Sequence, residues 1–165
     1  MSDIVKNESP KVVIVLDRLR SAFNTGNIFR IAEATNATEI ICCGYTPCPP
    51  HPKLSKTAMG SDEMVNYRHF ETSLDAVKAL KSEEFKQILV VENSETPCCA
   101  WDYDYEYPLA LVFGNEALGV NEDTIKECDG IVSLPMLGEK ASINVGNCAA
   151  VIMYSVLKNI QNKQS

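Results

Sequence analysis

No apolar run in this 165-residue chain approaches the 18 or more residues that a membrane span requires. The opening "MSDIVKNESP" lacks the basic-then-apolar plan of a secretory leader, so a cytoplasmic location is expected. Cys-x-x-Cys spacing is missing as well. Seven cysteines stand at 42, 43, 48, 98, 99, 128 and 148, an odd number with no zinc or redox motif among them. Reduced, mostly buried thiols are the expectation, with 42/43 and 98/99 pointing to opposite sides of extended chain. The two histidines, His51 and His69, have no spaced ligand partner, so no metal is expected. Neither the Gly-x-Gly-x-x-Gly dinucleotide fingerprint nor a Gly-x-x-x-x-Gly-Lys phosphate loop occurs. An excess of basic charge is also lacking. The net charge of −7 argues weakly against a nucleic-acid partner.

What is present begins with charge asymmetry. Residues 1–70 carry 8 Lys+Arg against 7 Asp+Glu, and residues 71–165 carry 7 against 15. A local basic face on an acidic body is therefore possible, since charges act within a Debye length of about 8 Å at physiological salt. Hydrophobic residues make up 45 %, enough to bury a core without disulfides or metal. The length fits one domain spanning 1–165, with no further domain, no internal repeat and no linker expected.

Strand and helix patterns alternate. Strands are expected at 11–17, 39–44, 86–92, 108–114 and 130–136. Helices are expected at 25–36, 73–81 capped by Ser73, 121–130 capped by Asn121, and from about Ser142 to Asn159. The strands are continuously apolar, which favours an α/β fold with a mostly parallel sheet and helices on both faces. Two loops stand out. Residues 45–60, with four prolines, His51, Lys53 and Lys56, are long against the usual connection of about 2–6 residues. Residues 92–107 are acidic and aromatic, and read as a solvated loop with Trp101 tucked against the body.

Three patches carry chemistry. In "NTGNIFRIAEA" a polar turn opens a helix. Asn24 can cap it, and Arg30, six residues on, offers a planar fork suited to phosphate or carboxylate. In "LVFGNEALGV" a buried strand runs into Gly114, which lets a ligand approach the backbone at the strand end where α/β sheets bind ligands. In "SLPMLGEKASINVGNCAAV" a strand and loop lead to a helix capped by Ser142, with Asn144 in its first turn. Val145, Cys148, Ala149, Ile152, Val156, Leu157 and Ile160 then form a wide apolar helix face.

In order and content these three stretches resemble the three motifs of the SpoU (TrmH) family of RNA ribose 2′-O-methyltransferases, of the SPOUT superfamily. The resemblance spans about residues 11–158, and "PPHPKLSKTAMGS" is similar to a segment of one branch. It implies a C-terminal trefoil knot, S-adenosylmethionine as cofactor, a homodimer through the C-terminal helix, and methylation of a ribose 2′-hydroxyl in RNA, with tRNA favoured over rRNA. By matching position it implies Asn24, Arg30, Glu116, Ser142 and Asn144 as catalytic. Gly114, Leu134, Met136, Ser142 and Asn144 would line the cofactor pocket, with Glu92 or Asn93 closing over the adenosine. A guanidinium is a poor base, so Arg30 is read as stabilising the forming oxyanion and gripping a phosphate. Arg18, Arg20, Lys53, Lys56 and Arg68 are the expected phosphate contacts. An inactive RNA-binding protein of the same fold, or a Rossmann-like small-molecule enzyme, is the competing reading.

Overall fold

The computed structural model of the chain describes residues 9–94, 96 and 98–165. In chain order the elements are β1 (Val12–Asp17), α1 (Ala22–Ala34), β2 (Glu39–Cys43), α2 (Pro52–Ala58), a 3-10 turn (Ser61–Glu63), β3 (Asn66–Phe70), α3 (Ser73–Ser82) and β4 (Gln87–Val91). They continue with β5 (Cys98–Cys99), β6 (Leu109–Gly114), α4 (Glu122–Glu127), β7 (Gly130–Ser133) and α5 (Val145–Gln164). One sheet orders the strands β3-β2-β1-β6-β4-β7-β5, and each strand pairing in it is parallel. The expected α/β architecture is the observed one.

Successive strand residues face opposite sides, so each apolar strand feeds two cores. Val12, Ile14 and Leu16 of β1, with Leu109, Leu111 and Phe113 of β6, pack against Ile28 and Phe29 of α1 and Ile152 and Val156 of α5. Val13 and Val15, with Ala110 and Val112, pack against Val77 and Leu80 of α3. Burying each such aliphatic side chain contributes about 1.5–3 kcal/mol, so Leu111→Ala at the sheet centre would cost roughly 2–5 kcal/mol. Cys42 and Cys43 fall into the two different cores, as alternation requires. All seven cysteines are free. Those two are fully buried, Cys98 is exposed, and the other four are half-buried.

Several boundaries differ from expectation, each for a physical reason. Helix α1 starts three residues early because Ser21, not Asn24, is its cap, accepting from the Asn24 N–H at 3.1 Å. The Asn24–Asn27 "turn" is helix. Gly26 sits in it because a Cβ there would overlap the Leu54 carbonyl and Thr57 Oγ1 of α2. Thr72 rather than Ser73 caps α3, and the buried Ser73 hydroxyl meets Thr124 Oγ1 at 2.7 Å. Asn144 rather than Ser142 caps α5, accepting from the Gly146 and Asn147 N–H groups at 2.8 and 3.2 Å.

The long 45–60 loop contains α2, capped by the His51 ring nitrogen, which accepts from the Leu54 N–H. The polar edge strand β3 and the two-residue β5 had no periodic signal. Trp101 is 53 % exposed, and Tyr105 is the aromatic that is buried instead. Residues 95 and 97 of that loop, like 1–8, lie outside the described residues.

Candidate active site

A cavity of about 570 Å³ opens at the carboxyl edge of the sheet, over the ends of β4, β6 and β7. Its walls include Glu92 and Asn93 after β4, Gly114 to Ala117 after β6, and Ser133, Leu134 and Met136 after β7. Ala141, Ser142, Ile143 and Asn144, the segment leading into α5, complete it. A parallel sheet places every such end on one edge, where α/β folds take ligands. Glu92, Gly114, Leu134, Met136, Ser142 and Asn144 thus share one cavity, together with Glu116.

The turn after β6 is held by Asn115, which is 4 % exposed. Its Oδ1 accepts from the Ala117 and Leu118 N–H groups, both at 2.8 Å. Its Nδ2 donates to the Arg18 carbonyl at 2.7 Å and to the Tyr45 hydroxyl at 3.0 Å. The turn folds back so closely that a Cβ on Gly114 would overlap the backbone at Gly119 and Val120. Glycine at 114 therefore answers to the chain's own return, not only to a ligand's approach. Gly119 has φ +71°, and a side chain there would also strike the Glu92 carboxylate.

Glu116 ties the three motifs together. It accepts from the Arg20 N–H (3.1 Å), the Ser21 N–H (3.3 Å) and Asn24 Nδ2 (3.3 Å). Asn24 Oδ1 in turn accepts from Asn144 Nδ2 at 3.1 Å. Because Ser21 caps α1, the Asn24 side chain is left free to bridge Glu116 and Asn144. Partial burial pushes Glu116 upward, but donors from its own backbone, Arg20, Asn24 and Ser21 outweigh that and hold it below the ordinary carboxylate value.

Glu92 is the opposite case. Burial, helped by the charge of Asp17, raises it above the ordinary value despite a bond from the Val120 N–H. Its Oε2 is the one buried side-chain polar atom without a partner among the described residues. Asn93 instead donates through Nδ2 to the Ala141 carbonyl, tying the β4 end to the α5 approach.

The basic candidates divide. Arg30 does not line the cavity. It is exposed on α1, with Nη1 3.1 Å from Met59 Sδ, and lies six residues, about 9 Å along the axis, beyond Asn24. Arg68 is engaged by Glu39 and Glu83 at 2.8 and 2.7 Å, so a phosphate would have to compete with two carboxylates for it. Arg18 is forked onto Asp17 at 3.1 and 3.2 Å and also reaches the Gly119 carbonyl. Arg20, Lys53 and Lys56 are exposed and keep that reading open. The sequence signal missed Asp17, 2 % exposed, whose Oδ2 accepts from the Asn121 N–H at 2.9 Å. It also missed Tyr45, which lies outside any motif, and the task of Asn115, which lies inside the second motif but was given no role.

A parallel sheet of this order, with a cavity bounded by the returns after β6 and β7, defines a class of open α/β fold that takes its ligand at the carboxyl edge of the sheet. Residues 11–154 match the SpoU rRNA Methylase family, and the chain belongs to that family. It is 30 % identical over 148 residues to the 23S rRNA (uridine(2479)-2′-O)-methyltransferase of Streptomyces viridochromogenes, covering 88 % of this chain and 52 % of that protein. Against the tRNA (guanosine(18)-2′-O)-methyltransferase of Thermus thermophilus it is 27 % identical, covering 93 % and 78 %. The crystal structure of the SpoU methyltransferase AviRb from S. viridochromogenes with AdoMet superimposes with a TM-score of 0.81 at 26 % identity, over 96 % of this chain and 60 % of that one. The chain thus spans about half the length of the first of these relatives.

Proposed function

We propose that this chain transfers a methyl group from S-adenosylmethionine to a ribose 2′-hydroxyl of RNA, with tRNA as the favoured substrate. One observation carries the reading: Asn24, Glu116 and Asn144, one residue from each motif, are hydrogen-bonded together beside the cavity walled by Glu92, Gly114, Leu134, Met136 and Ser142. The residues present fit the cofactor. The orphaned Glu92 Oε2 is an acceptor waiting for a hydroxyl donor, which a ribose diol supplies, and Leu134 and Met136 give apolar walls for a base. When bound, S-adenosylmethionine supplies an electrophilic methyl group.

The chain's own residues then have separate tasks. Glu116 and Asn24 fix the α1 amino terminus against the cavity rim. Asn144 holds the start of α5, and Ser142 presents a hydroxyl beside it. Arg30 is too far along α1 to join this cluster within one subunit, and we assign it to the partner's site in a homodimer. Support for the dimer comes from exposed apolar side chains on and near α5, namely Ile143, Val151 and Tyr154, with Leu137 97 % exposed. Arg30 in that site stabilises the oxyanion and grips an adjacent phosphate, the proton leaving through water. The trefoil threading of the C-terminal segment, the single-domain organisation and a cytoplasmic location belong to the same proposal. They are supported respectively by the family, by the single sheet, and by seven free thiols. Preference for tRNA is supported by the fuller match to the Thermus relative, 78 % of its length against 52 % of the rRNA enzyme's.

The test is calorimetric titration with S-adenosylmethionine, followed by transfer of labelled methyl groups into unfractionated tRNA and rRNA and identification of the modified nucleoside. A 2′-O-methylated nucleoside in tRNA supports the full reading, and one in rRNA only would correct the substrate. RNA binding without cofactor binding would replace the enzyme by an inactive binder of the same fold.

A further inference from the structure

Tyr45 is 58 % exposed, yet it is not a loose surface ring. Its hydroxyl is held by Asn115 Nδ2 at 3.0 Å, and Asn115 is itself buried and pinned at both ends of its amide. The backbone carrying it is fixed too. Gly44 takes φ +62° and Thr46, 4 % exposed, puts Oγ1 2.8 Å from the Cys43 carbonyl while accepting from the Leu19 N–H at 2.9 Å. The protein thus holds an aromatic face rigidly in water, and a partner that covers it has no ordering cost to meet at that ring.

Position narrows the partner. Cys43 and Gly114 both pair with Asp17, so the ends of β2, β1 and β6 form one row across the carboxyl edge. Strands lie about 4.8 Å apart, which sets Tyr45 and the Asn115-Glu116 turn within roughly 10 Å before the tyrosine leans inward to bond Asn115. Arg20, with an exposed side chain, flanks the same turn through its N–H bond to Glu116. A flat π-face, an exposed guanidinium and the Glu116–Asn24–Asn144 cluster match the base, phosphate and ribose of a nucleotide.

We infer that Tyr45 is the platform on which a base of the RNA substrate stacks, next to the ribose presented to the cavity. This rests on the function proposed above, and names the part of the substrate that the cavity itself does not hold. Stacking on an aromatic side chain tolerates any base, so Tyr45 contributes affinity and placement rather than sequence choice.

The probe is unfractionated tRNA, with binding and methyl transfer measured on the full chain. Tyr45→Leu is expected to weaken RNA binding and raise KM roughly five- to 150-fold, the range that base–aromatic stacking spans. S-adenosylmethionine affinity by calorimetry should stay within about twofold. Tyr45→Phe and Tyr45→Trp should each recover most of the loss. In a Trp101→Phe background, the tryptophan at 45 should be quenched when tRNA binds. A Tyr45→Leu protein that binds tRNA as tightly as the native chain overturns the inference. So does a Tyr45→Phe protein as impaired as Tyr45→Leu, because the hydroxyl's grip on Asn115 would then be the whole role. A native chain that binds cofactor but no RNA overturns it together with the substrate reading. The native control separates that result from a failure confined to Tyr45.

Discussion

Two glutamates face one cavity in opposite conditions. Glu116, at the rim, is surrounded by donors from α1 and is held below the ordinary carboxylate value. Glu92, at the end of β4, is pushed above it by burial and leaves one oxygen without a partner. The same side chain is thus scaffold at one end and an unmet acceptor at the other. A saturated carboxylate serves the fold and the geometry of its neighbours, whereas an unsaturated buried one has a cost that only a ligand can offset.

Breaking the saturated end should have the largest effect. Glu116→Ala removes the acceptor that joins α1, the β6 turn and, through Asn24, the α5 cap. Methyl transfer is expected to fall roughly 100-fold or more, since small misplacements of a reacting group cost about that much. Stability should fall by only about 1 kcal/mol, because the carboxylate is exposed and water replaces part of its bonding. Equal and complete loss of fold and activity would show that the turn is a structural keystone instead.

The unsaturated end separates from it by pH. Glu92 has a raised folded value, so its favourable contribution to stability is present below its ordinary value of 4.5 and is lost as pH rises through the folded one. Glu116 has a lowered value, so its contribution is present above 4.5 and is lost as pH falls through the folded one. Melting temperatures taken from acid to neutral pH should show Glu92→Gln gaining on the native chain as pH rises. Glu116→Gln should lose ground over the same range, and both differences should close in acid. Glu92→Gln should also weaken S-adenosylmethionine roughly tenfold. Parallel pH profiles for the two variants would remove the contrast.

Gly119 sharpens the comparison further, because its missing side chain is the space that Glu92 occupies. Gly119→Ala forces a Cβ into a left-handed backbone at φ +71° and into the carboxylate. It should cost about 1–2 kcal/mol from the backbone alone. Added to Glu92→Ala, it should cost measurably less than in the native background, because the collision is gone. Strict additivity in thermal or denaturant unfolding would mean that the two residues do not share that space.

How much of this was legible beforehand follows from the range of each interaction. The apolar runs of β1, β2, β4 and β6 carried their own signal, and so did the parallel sheet, since burial on both faces leaves no polar alternation. Edge strand β3, "NYRHF", is half solvated and carried none. Gly26 misled because glycine usually marks a turn, while its actual cause, the α2 backbone, lies some 30 residues away in sequence. The wrong caps at Asn24, Ser73 and Ser142 each lie one to three residues from the right one, within the reach of competing polar side chains. Asn24, Glu116 and Asn144 meet through hydrogen bonds, whereas Arg30, in the same motif as Asn24, does not line the cavity. Tyr45 could not be found, and Asn115, though inside the second motif, could not be given its task, because their meaning is a hydrogen bond between residues 70 positions apart.

The smallest effect tests which basic residues belong to the surface and which to the fold. Arg68 binds Glu39 and Glu83 across the β2–β3 edge, and Glu83 is lowered by it. Arg68→Met should therefore cost no more than about 1 kcal/mol, as expected of partly exposed ion pairs. It should leave both tRNA affinity and its salt dependence unchanged. Lys53 and Lys56 are exposed on α2 and form no ion pair among the described residues. Their double replacement by alanine should leave stability alone and reduce the salt slope of tRNA binding by roughly one to two, since each phosphate that a lysine neutralises releases about one counterion. A slope that drops with Arg68→Met and holds with the lysine pair would reverse the assignment. It would mean that the Glu39–Arg68–Glu83 cluster opens when RNA arrives.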